Sequence, residues 1–151
     1  MYKYYNANNH NNDVMDCVVR AISTAENTSW DYTYQKLSNL ARKEGLMFDS
    51  IEFVEDYLDE RYQRQCHYSK TVREFIDEHP IGSFLITMRG HITCVIDGVC
   101  YDTFNPTNKV MRCAWKVNWR VYPFSNEPVA KGLRLTPADG GLSVWIRSGS
   151  P

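Results

Sequence analysis

The stretch His91-Ile92-Thr93-Cys94-Val95-Ile96-Asp97-Gly98-Val99-Cys100-Tyr101-Asp102-Thr103-Phe104 sets two β-type segments on either side of an Asp-Gly pair. Asp-Gly accepts the left-handed backbone of a tight hairpin loop, so the spacing predicts strands over 91–96 and 99–104, paired from Ile96 and Val99 outward. The register follows by counting. Thr93 falls opposite Asp102 and His91 opposite Phe104. Opposed residues share a face, as do positions two apart, so His91, Thr93, Asp102 and Phe104 are expected on one side. There Asp102 is the diagonal neighbour of His91, with α-carbons roughly 7–8 Å apart, within reach of a carboxylate meeting an imidazole. Asn105 would point to the other side of a continued strand.

Outward from this hairpin the chain divides into helices before it and strands around it. Strand-like patterning covers 83–88, after Pro80-Ile81-Gly82, and 110–117, with a further short run at 119–122. Upstream, Val18, Ala21, Ile22 and Ala25 recur at helical spacing behind Asp16, a candidate N-cap. Ser29 caps a second helix carrying Trp30, Tyr34, Leu37, Leu40 and Ala41, stopped by Gly45. A third is expected over 51–62, with an acidic outer face. A fourth starts at Thr71-Val72-Arg73-Glu74, the spelling of a capping box, and ends before Pro80. The first sixteen residues, crowded with Asn6, Asn8, Asn9, Asn11 and Asn12, read as an ordered loop. Helices first and an antiparallel meander second is the α+β arrangement. The expected division is one domain over 1–125 and a peripheral Gly- and Ser-rich tail over 126–151.

The chain has 151 residues, one domain's length, with 17 Lys+Arg against 18 Asp+Glu and a net charge of −1. That balance disfavours nonspecific attraction to nucleic acid or acidic membranes. Lys109, Arg112, Lys116 and Arg120 alternate with apolar residues and read as a wet face over an aromatic core. No apolar run approaches the roughly 20 residues that span a bilayer. Met1 to Asn6 lacks the apolar core of a signal peptide. A cytoplasmic protein without membrane or nucleic-acid partners is expected.

The five cysteines, Cys17, Cys66, Cys94, Cys100 and Cys113, are odd in number and contain no C-x-x-C. Reduced thiols fit better than a disulfide framework. Cys94, Cys100 and Cys113 lie in strand-like segments and read as small buried hydrophobes. Cys17 differs, because it stands at the start of a helix. There the positive end of the helix dipole and unpaired backbone amides favour thiolate. A thiol at a helix start, followed downstream by a histidine and a carboxylate, is the set a cysteine nucleophile needs. In this reading His91 moves the proton and Asp102 holds its tautomer. Gly90 leaves space for a substrate backbone. The oxyanion donors would be the backbone amide at Cys17 and a side-chain amide, with Asn11 and Asn12 as candidates. The same residues also read as a buried small Cys17 and a surface pair on a hairpin.

The run Asp16-Cys17-Val18-Val19-Arg20-Ala21, the Gly90-His91 pair and Tyr101-Asp102-Thr103-Phe104 resemble the papain-like cysteine peptidases. They look closest to small stand-alone members encoded by bacteria and their phages. The likeness runs over about residues 4–115 and takes in the His79-Pro80-Ile81-Gly82 turn. It implies a papain-like fold in which N-terminal helices, with the cysteine at a helix start, pack on a C-terminal antiparallel meander. It also implies Cys17 as nucleophile, His91 as general base and acid, and Asp102 as the orienting residue. The family's glutamine six positions before the cysteine is Asn11 here. Met15 stands where members of the group often have Gly, and Phe104 where they have Trp.

The expected activity is hydrolysis of amide or isopeptide bonds in peptides or proteins through a thioester at Cys17, with no cofactor and no metal. A phage-encoded chain would work in the host's cytoplasm. Two alternatives stay open. One is a non-enzymatic binding protein on the same scaffold, such as a phage factor holding a host protein. The other is deamidation or transamidation on the same triad. Cys66-His67, His10 and His79 offer no zinc-like spacing. There is no glycine-rich phosphate loop or G-x-S-x-G elbow. Neither substrate identity nor oligomeric state is written in the residues.

Overall fold

The computed structural model describes residues 1–118 except Asp13 and Tyr68; the short run at 119–122 and the tail over 126–151 lie outside the described residues. Elements follow in the order β1 (Tyr2–Tyr4), α1 (Cys17–Glu26), α2 (Trp30–Glu44), α3 (Ile51–Asp59), β2 (Gln63–Cys66), α4 (Val72–Glu78), β3 (Ser83–Met88), β4 (His91–Ile96), β5 (Val99–Asp102) and β6 (Met111–Val117). This is an α+β arrangement of four helices and one six-stranded sheet.

The Asp97-Gly98 loop turns as its composition requires, with φ of 46° at Asp97 and 76° at Gly98. It sets Ile96 opposite Val99, Val95 opposite Cys100 and Cys94 opposite Tyr101. Strand order is β1-β5-β4-β3-β6-β2. β1 runs parallel to β5, and the other pairs are antiparallel.

Strand alternation divides the core between the two faces of the sheet. On one side Leu85, Ile92, Cys94, Cys113, Trp115 and Val117 pack with apolar residues of α1, α2 and α3. On the other, Phe84, Ile86, Met88, Val95, Cys100 and Met111 pack with Val72, Phe75 and Ile76 of α4. Every residue of β3 is buried, as a central strand covered on both faces should be. Trp115 is fully buried and donates its Nε1–H to Asp59 Oδ1 at 2.7 Å. Arg112 and Lys116 stay exposed between buried neighbours on β6.

Helix ends follow the sequence signals. Ser29 accepts from the Tyr32 amide, and Gly45 ends α2 in the left-handed conformation. Thr71 and Glu74 form the reciprocal capping box of α4. Asp16 departs from its expected role: it stands at the N-cap of α1, but its side chain makes no cap bond. α3 stops at Asp59, short of Tyr62, and β5 stops at Asp102, short of Phe104.

Three features of the sheet differ from a helices-then-meander reading. The first sixteen residues are not all loop, because Tyr2–Tyr4 pairs along the outer side of β5. Gln63–Cys66 is a strand despite its polar composition, its ladder among the described residues running along β6 at the edge of the sheet. β6 does not continue beside β5. Its connection crosses the start of α4, where the Arg73 and Val72 amides donate to Thr107 and Lys109 carbonyls, and so arrives on the far side of β3. The expectation of five reduced thiols is also corrected: Cys66 and Cys113, directly opposed on β2 and β6, form a disulfide. Their α-carbons are 4.0 Å apart, so the register brings the two sulfurs together.

Candidate active site

Cys17 is the first residue of α1 and is half-buried. Among the described residues it shares the free-thiol state with Cys94 and Cys100, both of which are buried. Burial raises the Cys94 thiol far above its ordinary range and pushes Cys100 up to about 11. Cys17 moves the other way. Burial opposes its ionisation, but a hydrogen bond with His91, one from the Ile92 backbone amide, and the charges of His91 and Arg20 outweigh that cost. The one thiol held below its ordinary value is therefore the one beside an imidazole.

His91 opens β4, and its Nε2 lies 2.7 Å from Asp102 Oδ2. With Nε2 engaged by the carboxylate, Nδ1 is the ring nitrogen left for the sulfur. In the neutral ring that nitrogen is the acceptor and can take a proton. Burial disfavours charge on His91, yet the bonds to Asp102 and Cys17 raise it to about 9. Asp102 is only 7% exposed and ends β5. Its Oδ1 accepts the Thr103 amide at 2.7 Å, which fixes the carboxylate's rotation. Burial pushes its pKa up, but bonds from His91 and Thr93, the His91 charge and the Thr103 amide hold it below the usual carboxylate value. Phe104 packs its ring 4.7 Å from that of His91, although β5 has already ended.

The structure thus pairs His91 with Asp102 at 2.7 Å and sets Cys17 near enough to that imidazole for its thiol to be lowered by it. A narrow cavity beside it is lined by Tyr5, Cys17, Arg20, Thr24, Tyr101 and Asp102, among others. Compared with family models, with curated proteins and with solved structures, the chain gives no match. What the site can do is read from its chemistry alone.

Asn11 and Asn12 lie on the loop before α1. Both are exposed, neither lines the cavity, and neither side chain has a hydrogen bond among the described residues. Asn11 instead turns the loop with a φ of 53°. The backbone offers a better donor set. Because the Asp16 side chain leaves the helix end uncapped, the first amides of α1 have no side-chain partner there. Gly90 adopts a left-handed φ of 70° in the β3–β4 turn, and the space where a Cβ would sit is open.

The sequence reading missed what Asp16 and Arg20 do. Asp16 is 4% exposed; its Oδ2 accepts from Asn8 Nδ2 at 3.0 Å and Trp30 Nε1 at 2.9 Å. Its Oδ1 lies 2.9 Å from Arg20 Nε, an ion-pair distance without hydrogen-bond alignment. The signal was present in the i, i+4 spacing of Asp16 and Arg20, which puts the two on one helix face. Elsewhere, His10 pairs with exposed Asp31 at 2.8 Å, and His79 stacks on Phe75 at 4.3 Å. Among the described residues, no group of three His, Cys, Asp or Glu side chains is placed to hold a metal ion. No helix there is long and apolar enough to cross a membrane.

Proposed function

We propose that the chain is a papain-like cysteine hydrolase that cleaves amide or isopeptide bonds of peptides or proteins through a thioester at Cys17. The observation that carries this is the pairing of His91 Nε2 with the buried Asp102 carboxylate at 2.7 Å, beside Cys17, the one free thiol among the described residues that this imidazole lowers. His91 takes the thiol proton, and the thiolate adds to the substrate carbonyl while the C=O pair moves onto oxygen. Amides at the start of α1 face that oxygen, and the helix dipole favours its charge. Collapse expels the amine, which takes the proton from His91. Water then gives a proton to His91 and its hydroxyl displaces the Cys17 thiolate, releasing the acid. Asp102 holds the ring in place through both proton transfers. Release of ammonia from a glutamine side chain, or attack by an amine in place of water, follows the same steps.

No cofactor enters this chemistry. The reading assigns the chain to the cytoplasm. It is tested by alkylating the native protein with iodoacetamide near neutral pH and mapping the product by mass spectrometry. Labelling at Cys17 that disappears in Cys17→Ala is the expected result. Labelling at Cys66 or Cys94 with Cys17 untouched would remove the nucleophile from the proposal.

A second reading, a binding protein on the same scaffold, draws on the exposure of Asn11 and Asn12, whose side chains make no hydrogen bond among the described residues. Equal capture of one protein partner by wild type and Cys17→Ala, with no turnover of it by either, would favour that reading.

A further inference from the structure

We propose that Arg20 is a positioning residue that straps the nucleophile helix to the acid end of the β4–β5 hairpin and so fixes Cys17 against His91 and Asp102. The inference rests on the Cys17–His91–Asp102 site described above and adds a fourth member to it. Arg20 lies three residues after Cys17, one turn along α1 and on the same face. Its guanidinium is not a free surface charge: the side chain is 16% exposed. Nη1 donates to Thr103 Oγ1 at 2.7 Å, and Nε lies 2.9 Å from Asp16 Oδ1.

The two partners flank the site in sequence. Asp16 immediately precedes Cys17, and Thr103 immediately follows Asp102. Both are held from elsewhere as well. Asp16 accepts from Asn8 and Trp30, while the Thr103 amide donates to Asp102 Oδ1 at 2.7 Å. A run of contacts results: His91 to Asp102, Asp102 to Thr103, Thr103 to Arg20, and Arg20 along α1 to Cys17, which stands near His91. Arg20 joins the helix half of that run to the strand half. Only a planar fork of several N–H donors can span both partners at once; an ammonium is a single point.

Removing the guanidinium would act twice in the same direction. Thr103 loses the contact that orders its side chain beside the Asp102 carboxylate. Asp16 is left as an uncompensated buried carboxylate next to Cys17, which disfavours thiolate. The titratable and charged groups around Cys17 are His91 of β4, Asp102 and Tyr101 of β5, Tyr5 beyond β1, Arg20 of α1 and, immediately before that helix in the chain, Asp16. Arg20 and His91 are the cations among them.

The test follows the iodoacetamide reaction of Cys17 against pH in wild type, Arg20→Met, Arg20→Lys and Thr103→Val, with a melting temperature for each. In Arg20→Met the acid limb is expected to move up by about one pH unit, or about tenfold slower alkylation below the midpoint. Arg20→Lys restores part of that shift, and Thr103→Val shows a smaller shift in the same direction, which also keeps the question answerable if Arg20→Met does not fold. A purely structural arginine would lower the melting temperature and leave the midpoint alone. Profiles of the folded Arg20 and Thr103 variants that superimpose on wild type overturn the strap while leaving the active-site reading intact. A wild-type Cys17 that alkylates with an ordinary thiol's profile overturns both.

Discussion

His91 Nε2 and Asp102 Oδ2 stand 2.7 Å apart because the two-residue turn between their strands leaves no slack in the register. Asp102 has no other freedom: its second oxygen is held by the Thr103 amide at 2.7 Å. Asp102→Asn keeps the shape of this contact but removes the charge, and an amide nitrogen facing His91 would favour the wrong tautomer. Alkylation of Cys17 near neutral pH is expected to slow by about a hundredfold or more, with little change in melting temperature. A rate within a few fold of wild type would mean that Asp102 does not orient the ring.

The same contacts set a pH signature. His91 rises from 6.5 to about 9 against the effect of burial, through Asp102 and the Cys17 sulfur. A raised base stabilises the fold fully below 6.5 and loses that contribution as pH climbs through about 9. Cys17 and Asp102 are lowered from 9.0 and 3.8; each contributes above its ordinary value and loses the contribution as pH falls through its folded value. Cys17→Ala deletes one of the bonds that raises His91. Its alkaline loss of stability should therefore begin at lower pH than in wild type, as read from urea midpoints across the neutral to alkaline range. Coincident curves for the two proteins would refute the pairing.

Much of this arrangement was legible in the residues, for reasons that differ by element. The hairpin could be counted because Asp97-Gly98 fixes both loop length and turn type, so the His91–Asp102 diagonal followed by arithmetic. Cys17 at a helix start followed from the spacing of Val18, Ala21, Ile22 and Ala25. β1 and β2 were hidden because Tyr2–Tyr4 and Gln63–Cys66 are short edge strands whose pairing comes from a partner's free side and not from their own apolar pattern. The placement of β6 beside β3 depends on backbone bonds between the 103–110 connection and α4, which no local pattern carries. The N-cap signal at Asp16 misled for a related reason. A buried carboxylate with Arg20, Asn8 and Trp30 within reach gains more from them than from the helix amides.

The turn that makes the count possible is itself testable. Gly98 sits at a φ of 76°, and an added Cβ would lie 3.3 Å from the Pro80 carbonyl oxygen. Gly98→Ala combines left-handed strain with that crowding, for an expected loss of about 1–2 kcal/mol in a denaturant titration. An unchanged midpoint would show that the loop does not depend on glycine at this position.

The Cys66–Cys113 bridge separates stability from chemistry. It ties the edge strand β2 to β6, whereas His91 and Asp102 lie on β4 and β5, beyond β3. Without the bridge β2 keeps its ladder and the ion pairs of Arg64 with Glu55 at 2.7 Å and Asp59 at 2.9 Å. A double variant, Cys66→Ser with Cys113→Ala, should lose about 2–4 kcal/mol relative to wild type in oxidising buffer, since the bridge closes a long loop. In reducing buffer the wild type lacks the bridge too, and the gap should largely close. Cys17 alkylation at neutral pH should be the same for both proteins, because β6 and β3 lie between β2 and the strands that carry His91 and Asp102. A Cys17 rate that falls with the bridge would show that the edge strand controls the site through the intervening sheet, and that the register of β6 against β3 is part of the catalytic geometry.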